Sequence, residues 1–133
     1  MVGDSRTVAI HADQYWNDTG ITLVKDGVYD LKVVPPESRW VDGEGLLKYS
    51  ADANGRNYWP LWLFTFLKRC RNADWFALIG ARNKVEGEFF FIGKSLTNFK
   101  PDQNFDLYCF ANDAKNKYDN NSGTLMLQIA RKA

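Results

Sequence analysis

The sequence is short of most things that catalysis requires. It has a single histidine, His11, and two cysteines, Cys70 and Cys109. Neither serine nor cysteine sits in a nucleophile-elbow pattern, and no glycine-rich phosphate loop occurs. Two cysteines and one histidine cannot fill the four positions of a structural zinc. They are also too few for a disulfide-framework domain, although a single bridge between them stays open. No apolar run approaches the length of a membrane-spanning helix. The 17 basic side chains are nearly cancelled by 16 acidic ones, a net charge of +1 that offers neither a nucleic-acid footprint nor a polybasic membrane patch. Met1 to Ser5 has no signal-peptide character, so synthesis in the cytosol is expected, with any release or surface association taking a non-classical route. Paired carboxylates for glycoside hydrolysis survive this elimination on count alone, and nothing singles out a pair. The chain therefore reads as a non-enzyme.

Helical periodicity is nearly absent as well, and what replaces it is a series of short β-rich runs between turn signals. Arg6 to Ala12 alternates as a first strand, and Asn17-Asp18-Thr19-Gly20 marks a turn. Ile21 to Val24 and Val28 to Val34 form a hairpin across Lys25-Asp26-Gly27, and Pro35-Pro36 ends its second strand. Residues 37–57 read as a long functional loop, and Trp59 to Leu67 as a strand covered on both faces. Trp75 to Ile79 and Glu88 to Ile92 follow, separated by Gly80 to Gly87, with a short helix over Ala73 to Arg82 as the alternative for the first of them. Asp106 to Ala111 and Thr124 to Ile129 close the chain. The sum is one domain over residues 1–133, all-β, a sandwich of about eight strands. A chain of 133 residues can bury an ordinary core without staples.

Aromatic residues are abundant, at 15% with five tryptophans. They suit a sandwich core and equally suit stacking on the apolar face of a sugar. The segment Asn112 to Gly123 is the other feature that stands out, with seven Asn, Asp and Ser side chains in twelve positions between two strands. Carboxylate and amide oxygens at both ends of such a loop can wrap a hard cation such as Ca²⁺, which takes six to eight oxygen ligands. The same residues also make good turns, and composition leaves both readings open. A second oxygen-rich stretch, Asp52-Ala53-Asn54-Gly55, starts like an EF-hand loop but has Leu63 where the closing Glu belongs, and reads as a turn.

The run from Tyr108 to Ile129, with Asn112-Asp113 followed by Tyr118-x-Asn120-Asn121-Ser122-Gly123 and an alternating last strand, resembles the calcium-dependent galactophilic lectins of the PA-IL (LecA) type. Asp26-Gly27-Val28, Leu78-Ile79-Gly80 and Phe91-Ile92-Gly93 are weaker matches in the same order. The resemblance implies a jelly-roll-like sandwich of two four-stranded antiparallel sheets and one Ca²⁺ per subunit. It implies side-chain ligation by Asp113, Asn120 and Asn121, with two backbone carbonyls, one from Lys117, where the family has Thr, and one from Trp40 by ungapped count from Gly27. Two adjacent sugar hydroxyls would complete the ion's coordination, with Asp113, Ala114, Lys117 and Asn120 against the sugar. The family's galactose-reading His-Pro-x-Gln has Trp59-Pro60-Leu61-Trp62 as its counterpart, without either polar group, so Tyr58, Trp59 or Trp62 would serve as a stacking platform instead. A lectin of this kind gains avidity as a homo-oligomer. The rival reading keeps the fold as a protein-interaction or self-assembly module, supported by the missing polar pair and by Trp16 and Trp40 as aromatics expected at the surface.

Overall fold

A computed structural model describes residues 2–43, 49–56 and 66–133. Among the described residues ten strands run in chain order: β1 (Ser5–His11), β2 (Asn17–Leu23), β3 (Tyr29–Val33), β4 (Arg39–Asp42), β5 (Tyr49–Asp52), β6 (Leu78–Arg82), β7 (Phe89–Phe91), β8 (Ser95–Phe99), β9 (Phe105–Ala111) and β10 (Thr124–Arg131). One sheet has the order β1-β10-β3-β8 and the facing sheet the order β2-β9-β6-β7, while β4 and β5 make a separate two-stranded ribbon. Every pairing is antiparallel. The expected all-β sandwich of two four-stranded sheets is the architecture observed.

Alternation along the strands builds two apolar layers. Ile10, Leu23, Leu31, Val33, Leu107, Cys109, Leu125 and Leu127 fill the space between the sheets. Side chains of opposite parity on β6 and β9, among them Ile79, Ala81 and Phe110, form a second cluster on the outer face, covered by Tyr15, Trp16 and Tyr118. Because β6 and β9 are buried on both sides, their sequences read as nearly continuous apolar runs. Gly80 lies opposite Phe90, whose ring folds over it: an added Cβ would come within 2.5 Å of the ring. Gly80→Ala should therefore destabilise by about 1–3 kcal/mol, the usual cost of overpacking, measured by urea denaturation. The Phe90 ring, stacked on Phe99 with centroids 4.7 Å apart, has to shift to accommodate the methyl.

Several local expectations are corrected. Residues 17–20 are the start of β2, not a turn. The Asn17 amide accepts from the His11 N–H and donates to the His11 carbonyl, closing the short loop between β1 and β2, and Gly20 (φ 71°) sits in a bulge between Asp18 and Thr22. The Asp26-Gly27 turn makes no hairpin, since β2 and β3 lie in different sheets. The Val24 N–H is taken by the Tyr29 hydroxyl, which sends the chain across the sandwich. Residues 37–57 are not one loop, because β4 and β5 pair within them. Most of the strand expected over 59–67 falls outside the described residues. Its last two residues, Phe66 and Leu67, are 60% and 49% exposed and belong to no strand. The strand expected at Trp75 starts at Leu78, so neither the earlier start nor the helical alternative over 73–82 holds, and Gly80 is inside β6 rather than in the following turn. β8 escaped notice because it is a largely exposed edge strand without apolar alternation. Trp40, expected at the surface, is fully buried and donates its indole N–H to the Phe76 carbonyl at 2.8 Å, and Trp16 is half-buried. Cys70 and Cys109 are free thiols.

Candidate functional site

The loop from β9 to β10 is pinned at both ends. Asn112 is completely buried, and its amide donates to the carbonyls of Cys70, Ala73 and Asp74 while accepting from the Cys70 N–H, which ties the loop to the preceding connection. The Asp113 carbonyl accepts from the Arg69 N–H at 3.1 Å. Tyr118 opens a short 3-10 turn (Tyr118–Asn120), and its buried hydroxyl donates to the Ala111 carbonyl at 2.6 Å. At the far end Ser122 and Val41 exchange both backbone hydrogen bonds at 2.8 Å, so β4 lies directly against the loop. Gly123 has φ 97°, and a Cβ there would meet the Trp40 Cα at 3.0 Å. The glycine that ends the motif is thus a steric requirement of this contact.

Inside the loop, Asp113 and Asn121 are buried together. Asn121 Nδ2 donates to Asp113 Oδ2 at 3.0 Å and to the Ala12 carbonyl at 3.1 Å. Two acceptors on one nitrogen fix the amide's orientation, and Asn121 Oδ1 is left buried with no hydrogen-bond partner among the described residues. An orphaned acceptor costs about 1–3 kcal/mol, so a donor or a cation placed against this oxygen would be stabilising. Asp113 Oδ1 accepts from the Ala114 N–H at 2.7 Å. Burial, reinforced by the nearby Asp42 carboxylate, pushes the Asp113 carboxyl up to about 7. Asp42 is itself raised by burial, an effect that the Lys117 ammonium partly offsets. No ion pair joins Lys117 to either carboxylate among the described residues.

Asp42, Asp113, Lys117 and Asn120, with Leu67 and Trp75, line a cleft of about 260 Å³. Of the residues expected at the site, the structure brings Asp113, Ala114, Lys117 and Asn120 to this cleft and sets Asn121 against Asp113. Trp40 lies in the adjoining strand. Val41 turns its backbone groups to Ser122, and alternation turns those of Trp40 toward its partner Ala51 in β5. The oxygen that β4 presents to the cleft is the side chain of Asp42, which sequence reasoning missed. The signal was its place two residues beyond Trp40, inside the segment expected to supply a ligand. Tyr58, Trp59 and Trp62 fall outside the described residues. Among those described, no three His, Cys, Asp or Glu side chains cluster as a metal site. The oxygens gathered here come from carboxylates and amides, a donor set suited to a hard cation such as Ca²⁺ rather than to zinc.

No family model and no curated protein matches the chain. Among solved structures it is similar to one described as the EclA N-terminal domain, a PllA-like lectin, with a TM-score of 0.69 and 16% sequence identity over 94% of each chain. At that identity the likeness is one of fold, and it extends over nearly the whole sandwich.

Proposed function

We propose that the chain is a Ca²⁺-dependent carbohydrate-binding protein without catalytic activity. The observation that carries this reading is the buried, unpartnered Asn121 Oδ1 beside a buried carboxylate. Asp113, Asn121, Asn120 and Asp42, with the Lys117 carbonyl, would hold the ion. The fold shared with a PllA-like lectin and the loop's resemblance to the PA-IL-type motif support the same assignment.

Bound there, Ca²⁺ supplies coordination positions that two adjacent sugar hydroxyls can occupy. The chain's own residues do the rest. Asn121 is held rigid by its two acceptors, so its free oxygen is set in place before any ligand arrives. Asp113 and Asn120 can accept hydrogen bonds from the sugar hydroxyls, the charged acceptor being the stronger. Leu67, half exposed at the rim, gives the sugar's C–H face an apolar contact. Galactose-type ligands are the first to test, although the polar pair that reads galactose in the resembling family has no counterpart here. Single sites of this kind are weak, which favours assembly of several copies.

Calorimetry and thermal unfolding with Ca²⁺, Mg²⁺ or a chelator test the reading, followed by a glycan array with and without chelator. Ca²⁺ at a hundred times its Kd should add about 2.7 kcal/mol of stability, and Mg²⁺ clearly less because it demands strict octahedral geometry. Glycan binding should vanish with chelator. Binding that ignores the chelator would remove Ca²⁺ from the proposal, and a silent array with Ca²⁺ bound would favour the protein-interaction alternative.

A further inference from the structure

Beside the Asp113 cleft runs a larger groove of about 930 Å³, and the two share Leu67, Ala114 and Lys117 as a common wall. The groove is basic. Among the described residues Arg69, Arg71, Lys68, Lys115 and Lys117 line it, against one carboxylate, Glu86. These charges are not equivalent. Arg69 is buried and bound to Glu86 at 2.8 Å, and Glu86 also accepts the Tyr15 hydroxyl at 2.6 Å, so the charge of Glu86 is already compensated. Lys68 is buried, with its ammonium spent on the Ala73 carbonyl at 2.7 Å. Arg71, Lys115 and Lys117 are exposed, and none of them makes an ion pair among the described residues. A protein of net charge +1 thus concentrates three exposed cations that form no ion pair among the described residues in one concave surface that borders the candidate sugar site.

From this arrangement we infer that the ligand is an acidic saccharide, whose neutral hydroxyls occupy the Asp113 cleft while its carboxylate or sulfate group lies in the groove against Lys117, Lys115 and Arg71. The inference rests on the carbohydrate-binding reading above. An anionic substituent complements the three cations, whereas a neutral sugar leaves them merely solvated. Lys117 stands where the two clefts meet, and its ammonium already eases the charge on Asp42 and Asp113, which lets an anion approach an otherwise acidic site. Arg71 adds a planar fork suited to bidentate contact with a carboxylate or sulfate.

The test is calorimetric titration of the Ca²⁺-loaded full chain with galactose, galacturonate and galactose 6-sulfate, in about 50 mM and about 300 mM NaCl. At low salt at least one acidic sugar should bind about tenfold more tightly than galactose, and the margin should shrink to about threefold or less at high salt as the groove is screened. The carboxylate and sulfate arms identify which group the groove prefers. Arg71→Gln with Lys115→Gln should bring the acidic-to-neutral affinity ratio close to one. Calcium-dependent binding of galactose with no gain from either acidic group would overturn this inference and leave the carbohydrate-binding reading intact. An acidic preference unchanged in the double variant would overturn the groove's role. Failure of all three sugars to bind while Ca²⁺ binds normally would overturn this inference, and a silent glycan array under the same conditions would overturn the carbohydrate-binding reading with it.

Discussion

Replacing Arg69 with alanine should cost about 3–5 kcal/mol of folding stability, measured by urea denaturation, and should weaken Ca²⁺ binding as well. The guanidinium lies 3.6 Å from the ring centroids of both Tyr15 and Phe110, and it passes through the apolar cluster on the outer face of β6 and β9. Its hydrogen bonds go to Glu86 at 2.8 Å, to the Tyr15 carbonyl at 2.6 Å and to the Tyr118 hydroxyl at 3.0 Å. The side chain is fully buried, while that of Glu86 is 34% exposed. Truncation leaves a carbonyl and a hydroxyl partly unpaired and opens a cavity between two rings, whereas Glu86 can recover some hydration, which keeps the cost from rising further. Arg69→Lys should rescue little, since an ammonium can neither stack between the rings nor reach three acceptors from one plane. Glu86→Gln should cost about 1 kcal/mol, because the guanidinium keeps its stacking and its other acceptors. The effect on Ca²⁺ follows from position: Arg69 also donates its backbone N–H to the Asp113 carbonyl, and Tyr118 links it to the start of the 3-10 turn. A protein of unchanged stability with Arg69→Ala would show that neither the ring cage nor the hydrogen bonds of Arg69 contribute to folding.

The sandwich was legible in the sequence where one physical signal dominated. Alternation in β1, β9 and β10 and the punctuation by Pro35-Pro36 located those elements to within a residue or two. The signal failed where a side chain overrode the local pattern. Asn17 reads as a turn former, yet its amide substitutes for backbone pairing and starts β2. Asp26-Gly27 carries a hairpin signature, yet the Tyr29 hydroxyl captures the Val24 N–H and the two strands part to opposite sheets. The loop bearing Asp113, Asn120 and Asn121 was legible because its oxygens are contiguous in the chain. Asp42 was not, because only the Val41–Ser122 bridge brings β4 against that loop. The basic groove was hidden for the same reason: Arg71 and Lys115 are 44 positions apart and meet only through the folded connection.

In the metal-free protein, the contribution of Asp113 to stability should fall as the pH rises from about 4 toward 8, by roughly 4 kcal/mol. The cause is Asp113, whose carboxyl is held at about 7 in the folded chain against 3.8 for the exposed group, first by burial and then by Asp42. The folded state therefore holds a proton that the unfolded state releases. That preference counts in full below the unfolded value and is lost as the pH passes through the folded one. Ca²⁺ bound as proposed would oppose this trend. Its binding needs the ionised carboxylate, so at about pH 5.5 it must displace a proton, and at about pH 8 it need not. The stabilisation by a fixed Ca²⁺ concentration should be larger at the higher pH. Asp113→Asn separates the two effects: it keeps the side chain's shape and the acceptor for the Ala114 N–H, removes the titrating group, and sets an NH2 against Asn121 at a cost of about 1 kcal/mol. The metal-free variant should be more stable than the parent at about pH 8, slightly less stable at about pH 5, and indifferent to Ca²⁺ at both. Thermal and urea unfolding across this range, with and without chelator, read all three outcomes. A parent protein whose stability is flat with pH, or a variant that still responds to Ca²⁺, would show that the buried carboxylate is not where the cation and the proton compete.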